Sequence, residues 1–263
     1  LSNKYVYSSK GFYQMNLIYD DSTIYIILFS VALLASAIDA IAGGGGLLVV
    51  PTMLILGMNP LIALGTNKLQ SCFGTATSSI NYYKNDLLKE INIKLLIFLS
   101  FLGSSIGTLL VSQLSNEILN NIIPLLLISA AMFLIFNKNT KKVSSNLLSF
   151  LFIPLILLIG FYDGFFGPGT GTFFVITFLI IRQRSLMEAT AATKVLNFSS
   201  NFASFIIFSI NGYVVWKLGI IMAIAQIIGA YLGSKLAIKN GDKFVRPVIV
   251  FISIVLSIRI LLS

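Results

Sequence analysis

Long apolar runs separated by short polar stretches occupy nearly the whole chain. Eight of the runs are about 20 residues or more, the length that lets a helix cross a hydrocarbon layer of about 30 Å. Two others are only about a dozen residues long. The pattern therefore predicts an all-α polytopic membrane protein. In chain order the runs cover residues 24–42, 47–58, 60–83, 93–113, 117–137, 147–166, 171–181, 185–209, 217–239 and 243–262.

The composition agrees with a multi-pass protein of a cell membrane and argues against several function classes. Hydrophobic residues make up 57% of the chain, charged residues 10%, and the mean hydropathy is +0.94, far from a soluble domain. A single cysteine, Cys72, and the lack of histidine exclude an internal disulfide, a histidine-held haem and the usual zinc or copper ligand sets. Because no paired acids stand at catalytic spacing, the sequence predicts no enzyme, catalytic residue, cofactor or metal site.

The two short runs leave the number of membrane crossings open between eight and ten, since each could be a re-entrant hairpin or a short crossing helix. Cytoplasmic loops are rich in lysine and arginine, and only ten crossings, with both termini outside, give a strong asymmetry. The net charge of +9 is therefore explained by basic residues in the loops of one membrane side, and no nucleic-acid partner is expected. With ten crossings, one side receives Lys84, Lys89, Lys94, Lys138, Lys141, Lys142, Arg182, Arg184, Lys235, Lys239, Lys243 and Arg246, and the other Lys4, Lys10, Lys217 and Arg259.

The second half of the chain repeats the first. An offset of 126 residues aligns Lys68 with Lys194, and "DAIAGGGG" at 39–46 aligns with "DGFFGPGT" at 163–170 after a shift of two residues. Five crossings per half is an odd number, so the second copy would enter the membrane from the opposite side. This predicts two inverted repeats, each with a broken or short helix. The expected organisation is an N-terminal tail at 1–22, a first membrane repeat at 23–137, a cytoplasmic linker at 138–146 and a second membrane repeat at 147–263.

The glycine-rich stretches before the two short helices are candidate anion sites. A broken helix leaves backbone N–H groups free, and because hydrocarbon offers them no partner, the break must be buried in protein or line a wet cavity. Glycines permit close approach of a ligand, and a helix N-terminus attracts negative charge. A flexible turn at the membrane surface is the alternative, but duplication beside an aspartate favours a site. Its predicted backbone donors belong to Gly44, Gly45, Gly46, Gly169, Thr170 and Gly171.

Two lysines, Lys68 and Lys194, lie well inside long apolar runs, where each shares a helical face with hydroxyl and amide residues. Snorkelling of the lysine stems to the headgroups is one alternative, and plain helix packing is another for Thr75, Ser78 and Ser204. An oxyanion needs several donors as well as positive charge. The predicted substrate-binding side chains are therefore Thr66, Asn67, Lys68, Gln70, Ser71, Thr193, Lys194 and Asn197.

An aspartate precedes each glycine-rich stretch, Asp39 in the first half and Asp163 in the second. An ionised carboxylate only accepts hydrogen bonds, so neither is expected to hold an anion directly. Capping the exposed helix start or pairing with a lysine ranks first among their roles, and carrying a coupled proton ranks second. Glu188, with Arg182 and Arg184 in the short connection before the eighth run, is predicted to be a solvated loop charge.

Three stretches together resemble a known family. "AIDAIAGGGGLLVVPTMLILGMNPLIALGTNKLQS", "GFYDGFFGPGTGTF" and "ATKVLNFSSNFAS" are similar to sequences of the sulfite exporter TauE/SafE family, also called the toluene sulfonate uptake permease family. The resemblance extends over nearly the whole chain from about residue 30. It implies a polytopic, mostly bacterial inner-membrane protein that moves sulfite, sulfonates such as sulfoacetate, or other small organic anions, driven by ion gradients.

The sequence thus predicts a secondary transporter of small anions that works by alternating access. The expected cargo is sulfite, an organosulfonate, or a related sulfur-containing or carboxylate anion, and the expected coupling ion is H⁺ or Na⁺. An anion channel and a membrane assembly protein without transport activity remain as alternatives. Two Gly-x-x-x-Gly pairs, at 103–107 and 229–233, allow close helix contact within or between chains, which leaves a homodimer open.

Overall fold

The computed structural model describes residues 2–8, 11–17, 21–89, 91–136 and 146–241. Its first element is an antiparallel hairpin within the expected tail, for which the sequence predicted no regular structure; nine helices follow in the described part. The elements are β1 (Ser2–Ser8), β2 (Gly11–Leu17), α1 (Asp21–Ala42), α2 (Gly46–Ile55), α3 (Pro60–Lys84), α4 (Lys94–Val111), α5 (Asn116–Phe136), α6 (Asn146–Phe165), α7 (Thr170–Ile181), α8 (Leu186–Ile210) and α9 (Trp216–Asn240).

Nine of the ten apolar runs correspond to these helices, which confirms the predicted helical character. The two short runs are α2, of 10 residues, and α7, of 12 residues. The tenth run, 243–262, and most of the predicted linker at 138–146 lie outside the described residues. Within the described residues, three helices are long and apolar enough to cross a membrane: Ser22–Ile41, Lys94–Val111 and Trp216–Asn240. Helices α3 and α8 are as long as α9, at 25 residues each, but carry rows of buried polar residues.

Local signals in the sequence explain where α3 and α8 begin. The Asn59 side chain accepts a hydrogen bond from the backbone N–H of Leu61 at 3.1 Å, and Pro60 occupies the first helical position. At the start of α8, Ser185 and Glu188 form a reciprocal capping box. Glu188 is therefore a helix-capping residue rather than a free loop charge. These caps fix the starts of the two helices that carry the buried lysines.

Helices from one half of the chain pack closely against helices from the other half. The Gly-x-x-x-Gly pairs of α4 and α9 lie against helix backbones within the same chain, because a side chain at any of these glycines would overlap a carbonyl oxygen. The carbonyl groups concerned are those of Leu157 and Phe161 in α6, facing Gly103 and Gly107, and those of Leu33 and Ala37 in α1, facing Gly229 and Gly233. The two sequence halves therefore interlock.

The centre of the bundle is formed by α3 and α8, with α2 and α7 packed over them. Large apolar side chains such as Ile26, Phe98 and Ile224 are exposed on the outer faces of α1, α4 and α9. This distribution, apolar outside and polar within, suits a protein surrounded by lipid. It leaves the polar rows of α3 and α8 facing the interior.

Candidate functional site

Each short helix is preceded by a glycine-rich break in the chain. Between α1 and α2, Gly43 and Gly44 have φ values of +81° and +93°; between α6 and α7, Gly167 and Gly169 have values of +97° and +90°. Residues with a side chain rarely adopt this left-handed region, so the glycines are required by the geometry of the breaks. The long helices end here. At the starts of α2 and α7, the N–H groups of Leu47, Thr170 and Thr172 donate to carbonyls within the breaks, whereas those of Gly46 and Gly171 donate to no described residue.

The two breaks lie against each other in the interior. A methyl group added at Gly43 would lie 3.1 Å from the backbone nitrogen of Thr172, and one added at Gly46 would lie 3.3 Å from Cα of Pro168. Residues separated by more than 120 positions are thus brought into backbone contact. The structure therefore brings together the two glycine motifs that the sequence singled out.

Two buried ion pairs cross between the halves at this point. The Lys68 ammonium lies 2.9 Å from Oδ1 of Asp163, and the Lys194 ammonium lies 2.9 Å from Oδ2 of Asp39. The two lysine side chains are 1% and 0% exposed, so neither snorkels to the protein surface. Each pair joins a central helix of one half to the residue that precedes the break of the other half. An unpaired ammonium at such a depth would be strongly unfavourable, and the carboxylates compensate it.

Additional hydrogen bonds close the ion pair between Lys68 and Asp163, in the sense that they occupy its remaining donors and acceptors. The Lys68 ammonium also donates to Oδ1 of Asn201 at 3.1 Å and to the backbone carbonyl of Asp163 at 2.5 Å. The second carboxylate oxygen of Asp163 accepts from the Ser200 hydroxyl group. An ammonium has three N–H donors, so these contacts occupy all of them.

The pair between Lys194 and Asp39 is more open. Among the described residues, the Lys194 ammonium has a hydrogen bond to Asp39 only. The other carboxylate oxygen of Asp39 accepts from the backbone N–H of Gly45 at 3.2 Å, at the start of α2. The Asp39 side chain is 23% exposed, against 5% for Asp163. Asp39 thus pairs with a lysine and caps a helix start at the same time.

A small cavity of about 40 Å³ lies between the breaks, with room for about three water molecules at roughly 10–15 Å³ each. Glycines and polar side chains form most of its wall, and Val49 is the apolar side chain among the lining residues. Of the residues predicted from the sequence, the cavity is lined by Asp39, Gly44, Gly45, Gly46, Asn67, Lys68, Ser71, Asp163, Gly169, Thr170, Gly171 and Asn197.

Four predicted residues lie close by without lining the cavity. The Thr66 hydroxyl accepts from the backbone N–H of Val215 at 3.1 Å, which fixes the approach to α9. Gln70 donates to Oδ1 of Asn67 at 2.8 Å and so orients a lining residue. The Thr193 hydroxyl is buried without a partner among the described residues. Lys194 is completely buried and meets the cavity only through Asp39, its partner.

The cavity also contains residues that were not predicted as site residues: Gly167, Thr75, Asn201 and Gln226. Thr75 and Asn201 were visible on the polar faces of α3 and α8. Gln226 interrupts the ninth apolar run, and this single amide was the signal in the sequence that could have identified it as a lining residue. Its side-chain amide donates to the backbone carbonyl of Ala32 at 3.3 Å, and the backbone carbonyl of Gln226 accepts from the Ser36 hydroxyl at 2.7 Å. It therefore ties α9 to α1 beside the cavity.

The ionisable groups of the two pairs carry two positive and two negative charges when all are ionised. The centre is therefore electrically balanced, while the surrounding hydroxyl groups, amides and helix starts supply hydrogen-bond donors. Such a site suits a small charged solute that displaces water from the cavity and accepts hydrogen bonds from these donors.

Comparisons with known proteins identify the family of the chain. The family model described as "Sulfite exporter TauE/SafE" matches residues 28–260. The "Probable membrane transporter protein ORF9" of Sinorhizobium sp is 41% identical over 240 residues, covering 89% of this chain and 91% of its own. The "Probable membrane transporter protein YfcA" of Escherichia coli (strain K12) is 40% identical over 238 residues, covering 89% and 88%.

A more distant relative, the "Probable membrane transporter protein YunE" of Bacillus subtilis (strain 168), is 26% identical over 261 residues, covering 87% of this chain and 92% of its own. No solved structure gives a significant match. The names of the family and of these relatives indicate a membrane transporter. The chain belongs to the sulfite exporter TauE/SafE family.

Proposed function

We propose that this protein is a secondary transporter that moves a small anion across the bacterial inner membrane by alternating access. The observation that carries the proposal is the meeting of two glycine-rich breaks at crossed, buried ion pairs. Isolated charges inside a membrane protein are unfavourable, and those that are retained commonly belong to a substrate or ion pathway. The cargo we propose, sulfite, an organosulfonate or a related carboxylate anion, follows from the family name and from the donors of the site.

Reciprocal contacts support two inverted repeats as the basis of the transport cycle. The glycines of α9 pack on α1, and the equivalent glycines of α4 pack on α6, which is the equivalent of α1 in the second half. Lys68 pairs across to Asp163, and Lys194 pairs across to Asp39. Two copies related by a two-fold axis in the membrane plane would make such exchanged contacts, with the binding site near the midplane.

The chemistry of the cavity supports an anionic cargo. Backbone N–H groups at the starts of α2 and α7 point their positive dipole ends at the breaks. Ser71 and Asn197 add a hydroxyl and an amide donor to the lining, and Lys68 adds a positive charge whose N–H donors are already bonded. A volume of about 40 Å³ fits a compact inorganic oxyanion or the head of a sulfonate better than a large organic molecule.

Transport by purified protein in liposomes tests the proposal. Uptake would be measured for sulfite, sulfoacetate, thiosulfate and small carboxylates, with an imposed pH or sodium gradient. We expect saturable uptake of at least one of these anions. Flux that rises linearly with concentration would indicate a channel, and no flux for the whole panel would contradict the proposed function.

Neutral replacement of one ion pair links that flux to the site. The double variant Lys194→Gln/Asp39→Asn removes both charges without leaving either one unpaired in the interior. We expect it to remain folded and to lose saturable uptake. The exposed Lys89→Gln variant is the matched control, because Lys89 lies in the turn after α3 and pairs with Asp86 at the surface. Wild-type uptake by the double variant would contradict the site.

A further inference from the structure

The two halves of the repeat differ at the residues that surround their ion pairs. The offset of 126 residues places Gly74 opposite Ser200 and Thr75 opposite Asn201. Ser200 and Asn201 close the pair between Lys68 and Asp163. Gly74 has no side chain to offer.

Thr75 does not replace Asn201 in the first half. Its hydroxyl group donates instead to the carbonyl of Ser71, one turn back in its own helix, at 2.6 Å. The pair between Lys194 and Asp39 therefore lacks the two supporting contacts that its counterpart has. The missing counterpart of Ser200 follows from the sequence, because glycine has no side chain, and the missing counterpart of Asn201 follows from the direction of the Thr75 hydroxyl group.

We propose that Asp39 carries the coupled proton of transport and that Asp163 does not. This inference rests on the proposed function and assigns its coupling step. Uptake of one proton by the Asp39 carboxylate gives a neutral acid, which leaves the positive charge of Lys194 uncompensated beside the cavity. The anion then binds with its charge balanced by that lysine, and loss of the proton to the other side restores the ion pair and expels the anion.

Geometry places Asp39 in the right position for this exchange. Its carboxylate lines the cavity and is partly exposed, whereas Lys194 lies behind it with no exposure. A proton can therefore reach the Asp39 carboxylate. Until the proton binds, the negative charge of Asp39 compensates the positive charge of Lys194. Asp163 also lines the cavity, but protonation of Asp163 would break its ion pair with Lys68. The Lys68 ammonium would stay bound by Asn201 and by the backbone carbonyl of Asp163, and so would not be released to an anion.

The other groups around Asp39 do not compete for this role. The ionisable residues that line the cavity are Asp39, Lys68 and Asp163, and the last two are paired with each other. From α3, Tyr82 donates its hydroxyl proton to the carbonyl of Ala40 at 2.6 Å. Helix α9 contributes an amide, Gln226, and the lining residues of α2 and α7 are not ionisable.

An unsatisfied amide beside the same pair points to a ligand. Asn197 lies one turn beyond Lys194 on α8, lines the cavity and is 6% exposed. Its Oδ1 atom is buried and accepts no hydrogen bond from the described residues. Buried polar groups are normally satisfied, and an amide oxygen only accepts hydrogen bonds. This atom is therefore available to water or to the O–H group of a protonated solute.

The charge count gives a stoichiometry. The ion pairs are neutral together, so the binding of one negative charge is balanced by one proton on Asp39. A monovalent anion and a proton would cross together without net charge movement. A pH gradient would therefore drive accumulation of the anion in the direction of the proton flow.

Liposomes containing the wild type, Asp39→Asn or Asp163→Asn would be tested with whichever anion the wild type transports. Two quantities are measured: accumulation driven by a pH gradient, and exchange of labelled for unlabelled anion at equal pH. We expect Asp39→Asn to lose at least tenfold of the gradient-driven accumulation while exchange remains measurable with little dependence on pH. The exposed acid Asp86 supplies the control for loss of a carboxylate, and Asp86→Asn should keep wild-type accumulation. In folded Asp163→Asn protein, whatever its rate, exchange should keep the wild-type dependence on pH.

Gradient-driven accumulation by Asp39→Asn at the wild-type level would overturn the inference, while saturable wild-type flux would leave the proposed function standing. If Asp39→Asn does not fold, Asp39→Glu provides the test, since a longer acid should move the pH midpoint of uptake and an unmoved midpoint overturns the assignment. No flux by the wild type for any anion of the panel would contradict the proposed function and, with it, this inference.

Discussion

At the residue scale, the decisive feature is that four ionisable side chains are buried as two pairs. Removing one partner of such a pair leaves a desolvated charge, which costs about 3–5 kcal/mol, whereas replacing both is often nearly neutral. A loss of function after a single substitution would therefore not separate a binding role from a structural one. Paired substitutions make this separation.

We predict that Lys68→Met destabilises the protein by about 3–5 kcal/mol because it strands the carboxylate of Asp163. The double variant Lys68→Met/Asp163→Asn should recover most of that stability. Thermal unfolding in detergent, followed by the loss of the monodisperse peak in size-exclusion chromatography, measures both. Equal stability of the single variant and the wild type would show that the carboxylate finds another partner or a proton.

At the element scale, the break between α1 and α2 is shaped by two different demands on glycine. A methyl group at Gly45 would lie 2.6 Å from the carbonyl oxygen of Ala35 and 2.8 Å from Cβ of Asp39, although the backbone there is ordinary helix. At Gly44 there is room, since the nearest atom is a Leu47 methyl group at 3.8 Å, but φ is +93°. One position excludes a side chain by contact and the other by backbone conformation.

We predict that Gly45→Ala reduces anion uptake far more than Gly44→Ala. The first substitution must displace the Asp39 side chain or the α1 backbone, while the second adds a left-handed alanine at a cost of about 1–2 kcal/mol. Uptake in liposomes, normalised to folded protein, gives the comparison. A larger defect in the Gly44 variant would mean that backbone conformation, and not the position of Asp39, limits activity.

The helix contacts that use Gly107 and Gly233 provide a second prediction at this scale. Each glycine faces a carbonyl group of the opposite half, Phe161 for the first and Ala37 for the second. Gly107→Val and Gly233→Val should therefore lower the unfolding temperature to a similar extent. Leu109→Val, on the exposed face of α4, is the control and should change it little. Unequal effects would indicate that the two contacts are not structurally equivalent.

At the scale of the whole molecule, the mixed packing decides which parts can move as bodies. Helix α1 packs on α9, and α4 packs on α6, so each tightly packed group contains helices of both sequence halves. Alternating access in this fold would rearrange these mixed groups around α3 and α8. A rocking motion of residues 23–137 against residues 147–263 would instead break both glycine-lined contacts.

Membrane orientation of the halves is a prediction at the same scale. In a Cys72→Ser background, single cysteines at Lys89, Lys217 and Lys239 would probe the connections around α4 and α9, since these three positions are exposed. Inverted repeats predict that an impermeant thiol reagent on intact cells labels Lys217→Cys only. The other two should be labelled after permeabilisation. Labelling of Lys89→Cys and Lys217→Cys from the same side would contradict the inversion.

The sequence predicted the helices and the residues that meet at the candidate site better than the contacts between those residues. Apolar run lengths identified nine described helices because the lipid environment dictates hydrophobic length directly. Duplication singled out Lys68, Lys194 and the glycine breaks. The partner of each lysine could not be predicted, because pairing within or across halves satisfies the same charges. The unequal closure of the two pairs depends on Ser200 and Asn201, whose side-chain directions require the packed structure.

The crossed pairing also has a consequence for biosynthesis. Asp39 is synthesised 155 residues before Lys194, and Lys68 is synthesised 95 residues before Asp163. A nascent first repeat therefore carries both an acid and an amine into the bilayer with their final partners still in the ribosome. Until α6 and α8 are synthesised, these charged groups must be stabilised by protonation, by water or by an insertion factor. A chain truncated after α5 should therefore be degraded by membrane proteases.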